Sequence, residues 1–123
     1  MSKRILIVED NLIPSLSLGV MLNEKGHSVI GKLDSTHGAV DLIKKENPDL
    51  IILDIRLKDN TNGLDLAREV REFSDVYIVF VSALTDVETI NQMNAISHSQ
   101  IISKPYTEAD FNNALEKLNV STD

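Results

Sequence analysis

Short runs of apolar, mostly β-branched residues alternate along the chain with longer stretches whose apolar positions recur every three or four residues. Such runs are typical of buried strands, and the longer stretches are typical of amphipathic helices. The pattern therefore predicts five strands, with one helix after each strand. The predicted strands cover residues 5–8, 29–30, 50–53, 76–81 and 101–102.

Helical spacing also predicts which side chains of the helices face the core. Gly26 and the Asn47-Pro48 pair are typical helix stops, and Thr107 with Asp110 resembles a capping box for the fifth helix. The expected core-facing positions on the helices are Leu12, Leu16, Val20, Val40, Ile43, Leu66, Val70, Phe73, Val87, Ile90, Phe111, Ala114, Leu115 and Leu118.

Strands that are apolar on both faces belong in a parallel sheet with helices on either side, joined by right-handed crossovers. The expected fold is an α/β, flavodoxin-like, doubly wound sheet of five parallel strands in the order 2-1-3-4-5. Because domains commonly run to ~100–150 residues, we expect residues 1–123 to form a single domain.

Composition narrows the function classes. The chain has 12 Lys and Arg against 19 Asp and Glu, a net charge of −7, which argues against non-specific nucleic-acid binding. It has no cysteine, which excludes disulfides and thiolate metal sites. No apolar run approaches the ~20 residues of a membrane span, and no signal-peptide pattern is present. We therefore expect a cytoplasmic protein without a membrane segment.

Polar side chains follow four of the predicted strands at their carboxyl ends, where ligands bind in open α/β sheets. Glu9 and Asp10 follow the first strand, Asp54 the third, Ser82 the fourth and Lys104 the fifth. Three carboxylates ~5 Å apart repel by roughly 3 kcal/mol per pair at an effective dielectric near 20. A hard divalent cation such as Mg²⁺ relieves that repulsion, so the cluster predicts a magnesium site.

Each of these residues also has an ordinary structural explanation when taken alone. Asp10 or Asn11 suits the N-cap of the first helix, Ser82 suits a cap, and Lys104 suits a solvated charge. Two functions of different classes are compatible with such a site. One is a Mg²⁺-dependent phosphatase or phosphotransferase with an aspartyl phosphate intermediate. Such enzymes typically have a second Asp two residues after the nucleophile, whereas this chain has Arg56 two residues after Asp54. The other is a flavin or nucleotide binder, for which no glycine-rich phosphate motif follows the first strand.

Four motifs taken in chain order resemble the receiver domains of response regulators, the CheY-like phosphoacceptors of two-component signalling. They are Ile-Leu-Ile-Val-Glu9-Asp10, Leu-Asp54-Ile-Arg56, Val-Ser82-Ala83 and Lys104-Pro105-Tyr106, and the resemblance runs from Arg4 to Leu118.

The resemblance implies a role for each matching residue. Asp54 would accept a phosphoryl group from a sensor histidine kinase or a phosphotransfer protein. Mg²⁺ would be held by Glu9, Asp10, Asp54 and the backbone carbonyl of Arg56. Ser82 and Lys104 would bind phosphoryl oxygens, and the Lys104-Pro105 peptide would be cis. The kinase would contact the first helix at Ile13, Pro14 and Leu18. A homodimer would use the fourth helix, fifth strand and fifth helix.

The chain departs from the family pattern at positions that matter after phosphorylation. Lys58 replaces a usual proline, and the following glycine, Gly63, comes one residue late, so we expect a differently shaped loop. Ser97-His98 replaces a small Gly-Ala pair, and Ile101 replaces the aromatic switch residue. Tyr106 is expected to pack against the last helix. Arg56 lies two residues after the phosphoacceptor and Leu84 two residues after Ser82, and the resemblance implies that side chains at these positions influence water access. We expect a long cationic side chain beside an apolar one to shield the site and to slow the loss of the phosphoryl group.

Overall fold

The computed structural model of the protein describes residues 2–57, 61–83 and 86–122. Strands and helices alternate throughout these residues, as the apolar pattern predicts. In chain order they are β1 (Arg4–Val8), α1 (Leu12–Glu24), β2 (Ser28–Leu33), α2 (Ala39–Glu46), β3 (Leu50–Asp54), α3 (Gly63–Arg71), β4 (Tyr77–Ser82), α4 (Val87–Asn94), β5 (Ser99–Ser103) and α5 (Glu108–Thr122).

The strands form one parallel sheet in the order β2-β1-β3-β4-β5, which confirms the predicted fold class and strand order. β1 and β4 flank β3, and Asp54 is paired with Val81, the residue before Ser82. Ser82 is in turn paired with Ser103, the residue before Lys104. The carboxyl ends of these strands therefore meet at one edge of the sheet.

The two edge strands are longer than the apolar pattern predicts. β2 covers Ser28–Leu33 and β5 covers Ser99–Ser103. Edge strands have one neighbour and remain partly exposed, so polar residues such as Lys32 and Gln100 belong to them without breaking the backbone ladder. An apolar run marks only the best-buried part of such a strand.

Two hydrophobic clusters cover the two faces of the sheet. One joins β-strand side chains such as Leu53 and Phe80 to α2, α3 and Met93 of α4. The other joins Ile7 and Ile52 to α1 and α5. Helices on both faces explain why the central strands are apolar throughout, since β3 and β4 are buried at every position.

The predicted core face of α1 is wrong. Leu16 and Val20 are 47% and 57% exposed, whereas Leu18 and Leu22 are buried against the sheet. The side chain of Leu12 lies outside the described part of the chain. Because α1 is apolar almost all the way round, spacing alone does not identify its buried side. Burial also removes Leu18 from the contact surface on the first helix that the resemblance implies.

Two further core predictions are wrong for a local reason. Val87 is 71% exposed because it is the first residue of α4, where only Met93 is buried. Phe73 lies two residues beyond the end of α3 and is 39% exposed. The Lys44 Nζ lies 4.8 Å from the centroid of the Phe73 ring, which is a cation–π contact at the surface.

The predicted helix boundaries are confirmed. Gly26 follows Lys25, the C-cap residue of α1, and has a φ of +89°, a conformation that favours glycine. The Thr107 N–H donates to Asp110 Oδ2 at 2.8 Å, and the Asp110 N–H donates to Thr107 Oγ1 at 3.3 Å, which is a reciprocal capping box. In the described part of the chain, no helix is both long enough and apolar enough to span a membrane.

The loop before β5 contains the Ser97-His98 substitution and is held by an arginine. His98 has a φ of +51°, which is uncommon for a residue other than glycine. The Arg71 guanidinium donates to the Ser97 carbonyl at 2.7 and 3.1 Å and to the His98 carbonyl at 3.2 Å. It also donates to the Ser74 carbonyl at 3.0 Å. Arg71 therefore fixes the backbone of this loop from the end of α3.

Candidate functional site

The structure brings the three acidic side chains together at the carboxyl edge of the sheet. Glu9 and Asp10 follow β1, and Asp54 is the last residue of β3. One carboxylate oxygen from each of the three lies within 4.8 Å of the other two. Asp54 is only 6% exposed, and the Glu9 side chain is 10% exposed. This is a compact cluster of partly desolvated negative charges.

Lys104 provides the cation that faces this cluster. Its Nζ lies 2.7 Å from Asp54 Oδ2 and 3.7 Å from Glu9 Oε1. The Lys104 backbone N–H donates to the Ser82 carbonyl at 2.9 Å, which ties the end of β5 to the end of β4. Ser82 is itself buried. The Lys104-Pro105 peptide bond is cis, as the resemblance implies.

Burial and the neighbouring carboxylate of Asp54 shift the pKa of Glu9. Burial, a hydrogen bond with Asp54 and the charge of Asp54 together raise the pKa of Glu9 from 4.5 to about 8. Burial lowers the pKa of Lys104, but the hydrogen bond and charge of Asp54 outweigh burial and raise this pKa above its usual value. Lys104 therefore stays charged and only partly offsets the carboxylates.

The side chains at this edge fit a hard divalent cation. The buried Oε2 of Glu9 has no hydrogen-bond partner among the described residues, and an unpaired buried oxygen is costly. All three acidic groups offer oxygen, the ligand type that Mg²⁺ prefers. Asn11 occupies the N-cap of α1, but its side chain makes no capping hydrogen bond. Helix capping by Asn11 therefore does not explain the polar residues after β1.

Two neighbours of the site fix the position of Asp54. The Arg56 backbone N–H donates to Asp54 Oδ1 at 3.2 Å. Gly63, the first residue of α3, donates its N–H to the Ile55 carbonyl at 2.8 Å. A Cβ at Gly63 would overlap the Asp54 carbonyl oxygen, so this close approach of α3 to β3 requires glycine. Sequence spacing identified Gly63 only as a displaced loop residue and missed this contact.

Tyr106 packs beside the site. Its ring meets that of Phe111 edge to face, with centroids 4.9 Å apart, which confirms its predicted contact with the last helix. Tyr106 also lines a small cavity with Glu9, Asp54 and Val81. Burial first, and the negative charge of Glu9 second, raise the pKa of the Tyr106 phenol. Its ring therefore forms part of the apolar wall behind the carboxylates.

Sequence reasoning also missed the partner of the Arg56 side chain. The Arg56 Nη2 lies 3.8 Å from Asp86 Oδ2, at the start of α4. No pattern in the chain links these two residues, because their proximity depends on how the chain continues beyond the ends of β3 and β4. Lys58, a predicted departure from the family pattern, and Leu84, the residue predicted with Arg56 to control water access, lie outside the described residues. Ile101 is half-buried against the cluster that contains Met93.

Residues 5–116 of the chain match the family model of the response regulator receiver domain. The chain belongs to the response regulator receiver family. Receiver domains are signalling domains of two-component systems, which work with histidine kinases or phosphotransfer proteins. The sequence interpretation is thereby confirmed at the level of family.

Similar proteins include receivers of different lengths. The chemotaxis protein CheY of Thermotoga maritima is 26% identical over 119 residues, which cover 96% of this chain and 98% of that protein. The transcriptional regulatory protein PdtaR of Mycobacterium tuberculosis is 27% identical over 114 residues, which cover 93% of this chain and 55% of that protein. The chain thus spans about half the length of the first curated relatives that it matches.

A solved receiver structure has the same fold. The solution NMR structure of the PhyR response regulator receiver domain from Erythrobacter litoralis superposes with a TM-score of 0.82. The alignment covers 97% of this chain and 91% of that one, at 24% identity. At this identity the likeness supports the fold of the receiver and not its partners.

Proposed function

We propose that Asp54 accepts a phosphoryl group from the phosphohistidine of a sensor histidine kinase or a phosphotransfer protein, with Mg²⁺ as the cofactor. The receiver then signals by a conformational change or passes the group onward. One observation carries this proposal, namely that Glu9, Asp10 and Asp54 share a pocket within 4.8 Å while Lys104 faces it. Residues 1–123 would act as one receiver unit.

The proposed step is a substitution at phosphorus. An Asp54 oxygen forms the new P–O bond, the P–N bond to the donor imidazole breaks, and the imidazole leaves with the electron pair of that bond. A carboxylate is a competent nucleophile for this reaction. Asp54 is held for it by the Arg56 N–H at 3.2 Å and by the Lys104 amine at 2.7 Å.

Charge neutralisation is the main demand of such a transfer, because negative charge spreads over the phosphoryl oxygens. Mg²⁺ held by Glu9, Asp10, Asp54 and the Arg56 backbone carbonyl would supply positive charge to those oxygens. Lys104 would bind a phosphoryl oxygen from the β5 side, and the Ser82 hydroxyl would bind another from β4. In this proposal the receiver assists its own phosphorylation and dephosphorylation but is not a turnover enzyme.

Two surfaces follow for the proposed partners. The exposed side of α1, where Pro14 is half-buried and Leu16 is exposed, is proposed to contact the kinase or phosphotransfer protein. The α4, β5 and α5 face is proposed for a homodimer. It contains a groove of about 290 Å³ between β5 and α5, lined by residues such as Gln100, Asn113 and Lys117. Neither nucleic acid nor membrane is a proposed partner of this domain.

The proposed function is tested by trapping the modified carboxylate. The protein is incubated with Mg²⁺ and acetyl phosphate, and a mass increase that survives acid but not base is mapped by peptide analysis. We expect one modified residue, Asp54, and no modification of an Asp54→Asn variant. Asp49→Asn, which alters an exposed aspartate at the other end of β3, is the matched control and should modify normally. Unmodified wild-type protein, or equal modification of Asp54→Asn, would contradict the proposal.

A further inference from the structure

An ion pair links the residues after β3 to the start of α4. Arg56 lies two residues after Asp54, and Asp86 follows the end of β4 by four residues. The Arg56 Nη2 lies 3.8 Å from Asp86 Oδ2. Because β3 and β4 are neighbours in the sheet, this pair connects the chain just after Asp54 to the first turn of α4.

The same aspartate also begins α4. Asp86 occupies the N-cap position, and its Oδ1 accepts a hydrogen bond from the Thr89 N–H at 2.7 Å. One carboxylate therefore binds the first turn of α4 with one oxygen and the Arg56 guanidinium with the other. A change in the position of Arg56 changes the electrostatic environment of that first turn directly.

The exposed ion pair between Arg56 and Asp86 is weak enough for another anion to replace Asp86. The side chains of Arg56 and Asp86 are 75% and 45% exposed, and exposed ion pairs contribute little to stability. A phosphoryl group carries about 1.5–2 negative charges and three acceptor oxygens, and it matches the two-pronged geometry of a guanidinium. A phosphoryl group on Asp54 would therefore compete with Asp86 for the same cation.

We propose that Arg56 couples the acceptor site to α4 by exchanging Asp86 for the phosphoryl group on Asp54. This inference rests on the proposed function of Asp54. This exchange would transmit the state of Asp54 to the surface through α4. Such a mechanism matters in this chain because Ile101 occupies the position where the family resemblance implies an aromatic switch residue. Arg56 is thus a positioning residue, because it transmits the state of Asp54 to α4.

The test measures the affinity for beryllofluoride, a phosphoryl analogue, in the presence of Mg²⁺ by ¹⁹F NMR titration. Asp86→Asn removes the competing charge but keeps an oxygen for the Thr89 N–H, so we expect it to bind beryllofluoride more tightly. Arg56→Met should bind it more weakly. Each change should be about twofold to fivefold, the range that corresponds to exposed ion pairs. Adding Asp86→Asn to Arg56→Met should produce no further change.

The control is a second exposed ion pair, which lies within α3. Arg68 and Asp65 lie 3.2 Å apart on α3, and Asp65→Asn and Arg68→Met should leave beryllofluoride affinity unchanged. Amide shifts of Val87, Glu88 and Thr89 on saturation with beryllofluoride provide a second readout. They should be at least halved in Arg56→Met relative to wild type.

Three outcomes would overturn the inference. The first is an affinity that Asp86→Asn leaves unchanged or weakens. The second is equal tightening by Asp86→Asn in the Arg56→Met background, which would indicate a general charge effect. The third is equal α4 amide shifts in Arg56→Met and wild type. In each case an adduct on Asp54 would leave the proposed function standing. If no adduct forms in wild type, the proposed function and this inference fail together.

Discussion

The Lys104 amine lies 2.7 Å from Asp54 Oδ2, although β4 separates the strands that carry these residues. The contact depends on the alignment of three parallel strands at one edge, since Asp54, Ser82 and Lys104 all lie at strand ends. In the proposed transfer, this cation would already be in place when the phosphoryl group arrives, so it would cost no reorganisation.

Replacing Lys104 with methionine should slow phosphorylation of Asp54 by acetyl phosphate about 100-fold to 1000-fold, the usual effect of removing one preorganised charge partner. The rate is measured by mass spectrometry at saturating Mg²⁺. Lys117→Met, which removes an exposed lysine on α5, is the control and should react at the wild-type rate. A Lys104→Met protein that retained its circular dichroism spectrum and reacted at the wild-type rate would contradict the assigned role.

The raised pKa of Glu9 predicts an unusual dependence of stability on pH in metal-free protein. Folding holds this pKa at about 8 against 4.5 for the free side chain, so the folded state binds more protons between those values. The free energy of unfolding should therefore fall as the pH rises from about 5 to about 8. Urea denaturation in EDTA at several pH values measures this slope.

Glu9→Gln should flatten that slope because glutamine does not titrate, whereas Glu24→Gln, at an exposed position of α1, should keep it. Adding Mg²⁺ should oppose the loss of stability near pH 8, where Glu9 is losing its proton and becomes available to a cation. Stability of the metal-free protein that rises through this window would show that Glu9 is ionised in the folded state.

The contact between Gly63 and Asp54 predicts that a single methyl group affects both fold and site. Gly63→Ala should destabilise the protein by about 1–3 kcal/mol, because the added Cβ would overlap the Asp54 carbonyl and force the backbone apart. It should also slow phosphorylation of Asp54. Gly38 has a φ of +74° and open space around it, so Gly38→Ala should cost about 1–2 kcal/mol through backbone strain alone.

Urea denaturation and the acetyl phosphate reaction separate these two effects. Gly38→Ala should phosphorylate at the wild-type rate despite its lower stability. Equal effects of Gly63→Ala and Gly38→Ala on the reaction rate would mean that Gly63 does not position Asp54.

The sequence predicted the fold because both faces of the sheet are covered, so the central strands appear as continuous apolar runs such as residues 50–53. It also predicted the residues of the candidate site, since strand ends of a parallel sheet share one edge. It failed on α1, where Leu16 and Leu18 are equally apolar but only Leu18 is buried. The Arg56 and Asp86 contact was equally inaccessible, because it depends on the path of two loops.

Arg71 illustrates the same difficulty, since its charge suggests a surface residue while its guanidinium holds the loop before β5. Arg71→Met should cost about 1.5–3 kcal/mol, because the carbonyls of Ser97 and His98 lose a charged hydrogen-bond donor. Arg68→Met, one turn earlier on α3, should change stability by less than about 0.5 kcal/mol. Urea denaturation of the two variants measures the difference, and equal losses would contradict this role of Arg71.

The backbone strain at His98, in the loop before β5, predicts a stabilising substitution. His98 has a φ of +51°, a conformation that costs a residue with a Cβ about 1–2 kcal/mol. Glycine avoids this cost, but it lowers stability by about 0.5–1 kcal/mol because its unfolded backbone has more conformational freedom. His98→Gly should therefore stabilise the protein by about 0.5–1 kcal/mol in urea denaturation. Ser97→Gly, at the neighbouring position without a positive φ, should instead destabilise it by a similar amount. If both substitutions were destabilising, the His98 backbone would not be strained, and another contact of its side chain would have to explain its conformation.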